Sequence, residues 1–133
     1  MSTDLLIALR LLVAAVLGAA IGFQRERLGK PAGLRTHMLI CIGAALFTLV
    51  SMYGFGSGSD PARVASNIVT GIGFIGAGAI IFRSTDGYVV GLTTASTIWI
   101  SAGVGMAVGA GLYIAAATTT AIALIVLFIP HLK

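Results

Sequence analysis

The chain has 133 residues, 58% of them hydrophobic and 9% charged, with a formal net charge of +4. So few polar side chains cannot cover a soluble globule, which excludes a water-soluble domain and points to one domain embedded in lipid. The basic excess does not read as a nucleic-acid surface, because Lys and Arg flank apolar runs without aromatic interleaving; no nucleic acid is expected, and the bilayer and its anionic headgroups are the expected contacts.

Taken from the N-terminus, Asp4 and the lack of a preceding basic stretch argue against a cleaved signal, so Leu5 to Phe23 (5–23) is the first expected span. Arg25, Arg27, Lys30 and Arg35 then crowd into the loop from Gln24 to Thr36. Short loops rich in Lys and Arg stay in the cytosol, which sets the expected orientation. The next spans are His37 to Tyr53 (37–53) and Val64 to Phe82 (64–82), separated by the glycine-rich segment Gly54 to Pro61, in which Pro61 is placed to open the third helix. The apolar stretch from Gly91 to Ile129 would be on the order of 55 Å long as one helix, nearly twice a hydrocarbon core. It therefore divides into spans over 92–108 and 111–129, with the break at Gly109-Ala110-Gly111.

The expectation is an all-α, polytopic bundle of five transmembrane helices, N-terminus outside and C-terminus inside. It is read as one domain over 1–133 without a soluble C-terminal domain. The charges are lopsided in the same sense: Arg25, Arg27, Lys30, Arg35, Arg83 and Lys133 against Glu26 and Asp86 inside, Arg63 against Asp4 and Asp60 outside.

Small residues recur every four positions: Ala15, Gly18, Ala19 and Gly22 in the first helix, Thr97, Ser101, Gly105 and Gly109 in the fourth, Gly111, Ala115, Thr119 and Ala123 in the fifth. In lipid such stripes let helix backbones approach closely, so Gly18, Gly22, Gly71, Gly73, Gly105 and Gly109 are expected packing positions, and at least some stripes are expected in a homo-oligomer interface. Gly71-Ile72-Gly73-Phe74-Ile75-Gly76 spells GxGxxG, but inside an apolar span with no βαβ unit it serves packing rather than a dinucleotide. The same segment lacks the glycine register and preceding pore helix of a potassium filter.

His37 and Cys41 share a helix face, but two ligands are too few for a metal, so an interfacial His and a buried Cys are expected, with no metal and no cofactor. Arg10 is expected to snorkel toward the outer headgroups and to pair with Asp4. Arg63, Asn67, Thr70 and Gly71 lie near one face of the third helix, either as a polar track or as interhelical glue. No acidic residue falls within a span, which disfavours a self-sufficient cation pathway, and no Ser, Thr or Cys has a base partner, so the chain does not read as an enzyme.

In order along the chain, Gly22-Phe23-Gln24-Arg25-Glu26-Arg27, Gly33-Leu34-Arg35-Thr36-His37, Gly71 to Gly78 and Gly91-Leu92-Thr93-Thr94-Ala95 resemble the membrane domain of the MgtC/SapB family. The resemblance implies a regulatory bacterial inner-membrane protein tied to magnesium limitation and survival inside macrophages, acting on itself and on another complex such as the F-type ATP synthase. A small-ion or solute channel or transporter is the alternative. Carried over by motif position, the functional polar cluster is Arg25, Glu26, Arg35, Thr36, Asn67, Thr93 and Thr94. Within it, Glu26 is expected to pair with Arg35, and Thr93-Thr94 to complete a cytosolic vestibule.

Overall fold

The computed structural model of the chain describes residues 2–83 and 88–130. Five helices follow in order: α1 (Thr3–Arg27), α2 (Leu34–Tyr53), α3 (Pro61–Arg83), α4 (Leu92–Gly109) and α5 (Tyr113–Leu127). Asp86, Lys133 and the side chain of Arg83, which carry part of the expected charge bias, lie outside this description. Four helices are long and apolar enough to cross a bilayer, Thr3–Arg27, Leu34–Tyr53, Pro61–Ile81 and Leu92–Gly109. The fifth has 15 residues and is about 22 Å long, shorter than the span expected over 111–129 and short of a full hydrocarbon core.

Local chemistry sets the helix ends. Ser2 caps α1 by accepting from the Leu5 amide at 3.2 Å, with Asp4 in the first turn and Arg25 and Arg27 in the last, matching the helix dipole. Asp60 does the same for α3, where its Oδ1 accepts from the Ala62 amide at 3.0 Å and Pro61 is the first helical residue. Two ends close with the same glycine motif. After α1, Gly29 has φ +70°, with Gly29 N donating to Glu26 O at 3.0 Å and Lys30 N to Arg25 O at 3.1 Å. After α4, Gly111 has φ +86°, with Gly111 N on Val108 O at 3.0 Å and Leu112 N on Ala107 O at 2.8 Å. Only glycine takes this left-handed position freely, which is why the long apolar stretch breaks there.

Helix α2 lies between α1 and α4, pressed on both sides by glycines. A Cβ at Gly22 would sit 2.8 Å from Leu34 Cα and one at Gly18 2.8 Å from His37 O. On the other side, a Cβ at Gly109 would sit 2.8 Å from Ala45 O, and one at Gly105 would collide with the Cys41 carbonyl. The whole α4 stripe, Thr97, Ser101, Gly105 and Gly109, is buried inside the chain. The α5 stripe is displaced by one position: Ala116 and Thr120 are the buried residues, whereas Ala115 is exposed. Gly71 and Gly73 differ from the other expected packing glycines. Both are exposed, and a Cβ at either meets nothing within 4 Å among the described residues. Helix α3 instead packs through Ile72 and Gly76; Ile72 belongs to a core cluster with Ala44, Ile98 and Ala102, and a Cβ at Gly76 would lie 3.6 Å from Ala95 Cβ.

These contacts separate two kinds of glycine. Gly105→Ala is expected to lower stability by about 1–3 kcal/mol, because the methyl forces two backbones apart. Gly73→Ala is expected to be neutral or stabilising by up to about 1 kcal/mol, since helical glycine is disfavoured and the space is open. Thermal unfolding in mild detergent compares the two; equal losses would contradict this packing.

Candidate functional site

At the end of the bundle where α1 finishes and α2 and α4 begin, four polar side chains are buried together. Arg25 comes from the last turn of α1, His37 from the first turn of α2, and Thr94 and Thr97 from the first turns of α4; they are 3%, 0%, 4% and 4% exposed. The Arg25 Nη2 donates to Thr94 Oγ1 at 2.9 Å, and Thr97 Oγ1 donates to the Thr94 carbonyl at 2.8 Å. His37 Nε2 lies 2.9 Å from Thr97 Oγ1, and its Nδ1 lies 2.8 Å from the Gly33 carbonyl. A carbonyl only accepts, so Nδ1 carries a proton, and in the neutral ring Nε2 is the acceptor. The single Thr97 hydroxyl proton then has two acceptors within reach, Nε2 and the Thr94 carbonyl. One turn deeper, Cys41 Sγ donates to Ser101 O at 3.0 Å.

The segment can fold this way because each residue sits where its helix leaves room. Gly18 and Gly22 bring α1 onto the first turns of α2, and the same line delivers Arg25 to the α4 start. Thr94 and Thr97 are three apart on α4 and so share a face. Beyond the polar residues the interior becomes dry: Ala14, Cys41, Ala45, Val104, Val108 and Ala116 form one buried cluster.

Of the seven residues expected to form a polar cluster, the structure joins Arg25 and Thr94. Glu26 is exposed and its Oε1 accepts from the Leu34 amide at 3.3 Å, capping α2, whose Gly33 N-cap has no side chain to do so. This contact replaces the expected Glu26–Arg35 pair; Arg35 and Thr36 are exposed. Thr93 is also exposed and lines a groove of about 600 Å³ between α4 and α5, with Ser96, Thr97, Trp99 and Thr119. Asn67 stands apart, exposed on α3 and lining an apolar groove of about 540 Å³ against α2 with Leu39, Gly43 and Phe47.

Two residues sit differently from expectation. His37 is wholly buried rather than interfacial, because α1 and α4 close over the first turns of α2. Its spacing to Cys41 was visible in the sequence, but its partner Thr97 is 60 residues away. Arg10 does not serve Asp4. Its Nε donates to Tyr113 Oη at 3.0 Å, its Nη1 to Gly109 O at 3.0 Å, and its guanidinium lies 5.8 Å from the Tyr113 ring centroid. Arg10 thereby holds the α4–α5 turn. Among the described residues there is no group of three or more His, Cys, Asp or Glu able to hold a metal ion.

An all-helical bundle with this much apolar outer surface and a polar junction at one end is a multi-pass bacterial membrane protein. The pattern of the MgtC family matches residues 11–132, and the chain belongs to that family. It is similar to YhiD of Escherichia coli (strain K12), 51% identical over 112 residues that cover 79% of this chain and 51% of that protein. It also resembles MgtC of Brucella abortus (strain 2308), 51% identical over 108 residues covering 80% and 44%, and SapB of Bacillus subtilis (strain 168), 42% identical over 114 residues covering 80% and 49%. The chain thus spans about half the length of these relatives. No solved structure matches it.

The network makes two expectations concrete. Thr97→Val keeps shape but leaves the imidazole Nε2 without its partner, and should cost about 1–2 kcal/mol, whereas Thr93→Val at the exposed neighbour should stay within about 0.5 kcal/mol. Chemical unfolding in detergent measures both. For the cap, Glu26→Ala should cost about 0.5–2 kcal/mol and Arg35→Ala almost nothing. Their double variant should be additive within about 0.5 kcal/mol, and a larger coupling would restore the ion pair.

Proposed function

We propose that this chain is the membrane part of a regulatory protein of the bacterial inner membrane, serving adaptation to magnesium limitation and intracellular survival. On this reading it acts by contact with a second copy of itself and with another membrane complex such as the F-type ATP synthase, and it is not an enzyme. The observation that carries the reading is the outer surface of α3, where Gly71 and Gly78, seven residues apart on one face, have no neighbour within 4 Å of an added Cβ among the described residues. A small-residue helix face in lipid suits close approach by another helix. The buried polar groups among the described residues, Arg25, His37, Thr94 and Thr97 at the junction and Ser51, Ser101 and Thr120 elsewhere, include a cation and no carboxylate, which suits a regulator better than a conduit for Mg²⁺. We place the N-terminus outside and the C-terminus inside on the basic α1–α2 loop.

A transporter is the second reading. The name of the K12 relative YhiD proposes magnesium transport for that protein, and the Asn67 groove between α2 and α3 offers a polar group at an open helix seam. Purified chain in liposomes loaded with a Mg²⁺-sensitive dye separates the two. The regulatory reading expects no flux above protein-free vesicles, and crosslinking in native membranes that captures the partner and is weakened by Gly78→Leu while thermal stability is kept. Saturable Mg²⁺ flux, or capture indifferent to the α3 face, would reject it.

A further inference from the structure

The guanidinium of Arg25 is buried beside the first turn of α4; among the described residues its side-chain hydrogen-bond partner is Thr94 Oγ1, and its Nε has none. The adjacent Gln24 Oε1 is likewise buried and unpartnered. Two helices begin at this end with glycine N-caps that supply no side-chain cap, Gly33 before α2 and Gly91 before α4. Gly91 O receives the Ala95 amide at 2.9 Å, so the amides of Leu92, Thr93 and Thr94 precede the first intrahelical bond of α4 and have no acceptor within the helix. A formal cation and the positive ends of two helix dipoles therefore converge.

The Glu26 carboxylate offsets the α2 pole through the Leu34 amide, and the C-terminal pole of α1 favours Arg25 in part, but no described carboxylate lies against Arg25 or the free amides of α4. The described acidic residues are Asp4, in the first turn of α1 at the opposite end; Asp60, on the Ala62 amide; and Glu26, exposed and on the Leu34 amide. A bridging water would satisfy Nε–H and leave the charge uncompensated, and a guanidinium beside free helix amides is a donor set suited to a multivalent oxyanion. We propose that the junction of Arg25 with the start of α4 binds a phosphate-type oxyanion, carried either by free phosphate and soluble phosphoesters or by a phospholipid headgroup. This does not rest on the regulatory reading above.

The test uses the full chain. In detergent, inorganic phosphate is titrated against chloride at matched ionic strength while the unfolding midpoint is read. In parallel, nanodiscs of phosphatidylcholine with or without phosphatidylglycerol are analysed by native mass spectrometry for retained lipid. A free oxyanion predicts a saturable rise of the midpoint with phosphate, weakened about tenfold or more by Arg25→Gln and unchanged by Arg27→Gln. Thr93→Asp, which sets a carboxylate in the exposed first turn of α4, should weaken it comparably and serves if Arg25→Gln does not fold. A lipid source predicts no effect of free phosphate, with phosphatidylglycerol retained by the wild-type and Arg27→Gln chains and lost from Arg25→Gln and Thr93→Asp. No response in either arm, or a response that Thr93→Asp leaves intact, overturns the site.

Discussion

The arrangement depends on the backbone of α2 lying against the backbones of two other helices at once. In water, apolar side chains would drive such contact; in lipid they gain nothing by meeting one another, and association rests on van der Waals packing and hydrogen bonds between closely approaching backbones. Gly18 and Gly22 on one side and Gly105 and Gly109 on the other remove the side chains that would hold α2 away. Cys41 is the meeting point, its Cβ near Gly18 and its carbonyl against Gly105. From this clamp follow the burial of His37, the delivery of Arg25 to α4 and the exclusion of α3 and α5 to the periphery.

The clamp also explains why the hydrogen-bonded group of Arg25, His37, Thr94 and Thr97 sits at one end. Close glycine packing in the middle of the bundle leaves no room for a hydrated cavity, and Ala14, Ala45, Val104, Val108 and Ala116 close that region with small apolar groups. Buried hydroxyl and imidazole groups are favoured where each finds a partner, which for His37, Thr94 and Thr97 means near helix ends with free carbonyls and neighbouring hydroxyls; Ser101 Oγ, inside α4, is buried without one. The Gly33 carbonyl, on the residue preceding α2, is such a partner for His37. The connected polar group occupies about two turns at this end, and the buried hydroxyls beyond it, Ser51, Ser101 and Thr120, are scattered singly, a pattern suited to holding something at one end rather than passing it through.

Much of the fold was legible because it follows from period and punctuation. Five apolar segments, Pro61 at a helix start and Gly111 at a helix break are local signals, and the four-residue stripes named Gly18, Gly22, Gly105 and Gly109 as packing positions. What the stripes do not encode is which helix faces them. Gly71 and Gly73 look like Gly18 and Gly22 in sequence, yet point away from the rest of the described chain, and the α5 stripe is one residue out because the α4–α5 turn sets the rotation of that helix. The candidate site was half legible for the same reason. Arg25 and Thr94 stood out by motif, whereas His37 and Thr97 become a pair only once α2 and α4 are docked, across 60 residues. Glu26 and Arg35 seemed natural partners on charge, but an uncapped helix amide lies nearer to the carboxylate than the exposed guanidinium.

Arg10 and Arg25, at opposite ends of α4, show how position decides what a charge requires. Arg10 lies at the C-terminal end of α4, where its Nη1 meets the Gly109 carbonyl and the helix dipole presents its negative pole; Tyr113 completes its shell. A cation there is stabilised by the fold itself and lies near enough to the surface to keep part of its hydration. Arg25 lies at the opposite end of the same helix, beside its positive pole, and is almost wholly removed from solvent. The α4 dipole that favours the first arginine opposes the second; the C-terminal pole of α1 and one neutral hydroxyl offset this in part, with no described carboxylate against the guanidinium. Keeping a guanidinium in that place costs stability unless an anion shares it, so the fold tolerates at Arg25 an arrangement it has no packing reason to prefer. Such a locally unfavourable charge, held in place by the glycine clamp around it, marks this end of the bundle rather than the dry end as the place where the chain meets another molecule.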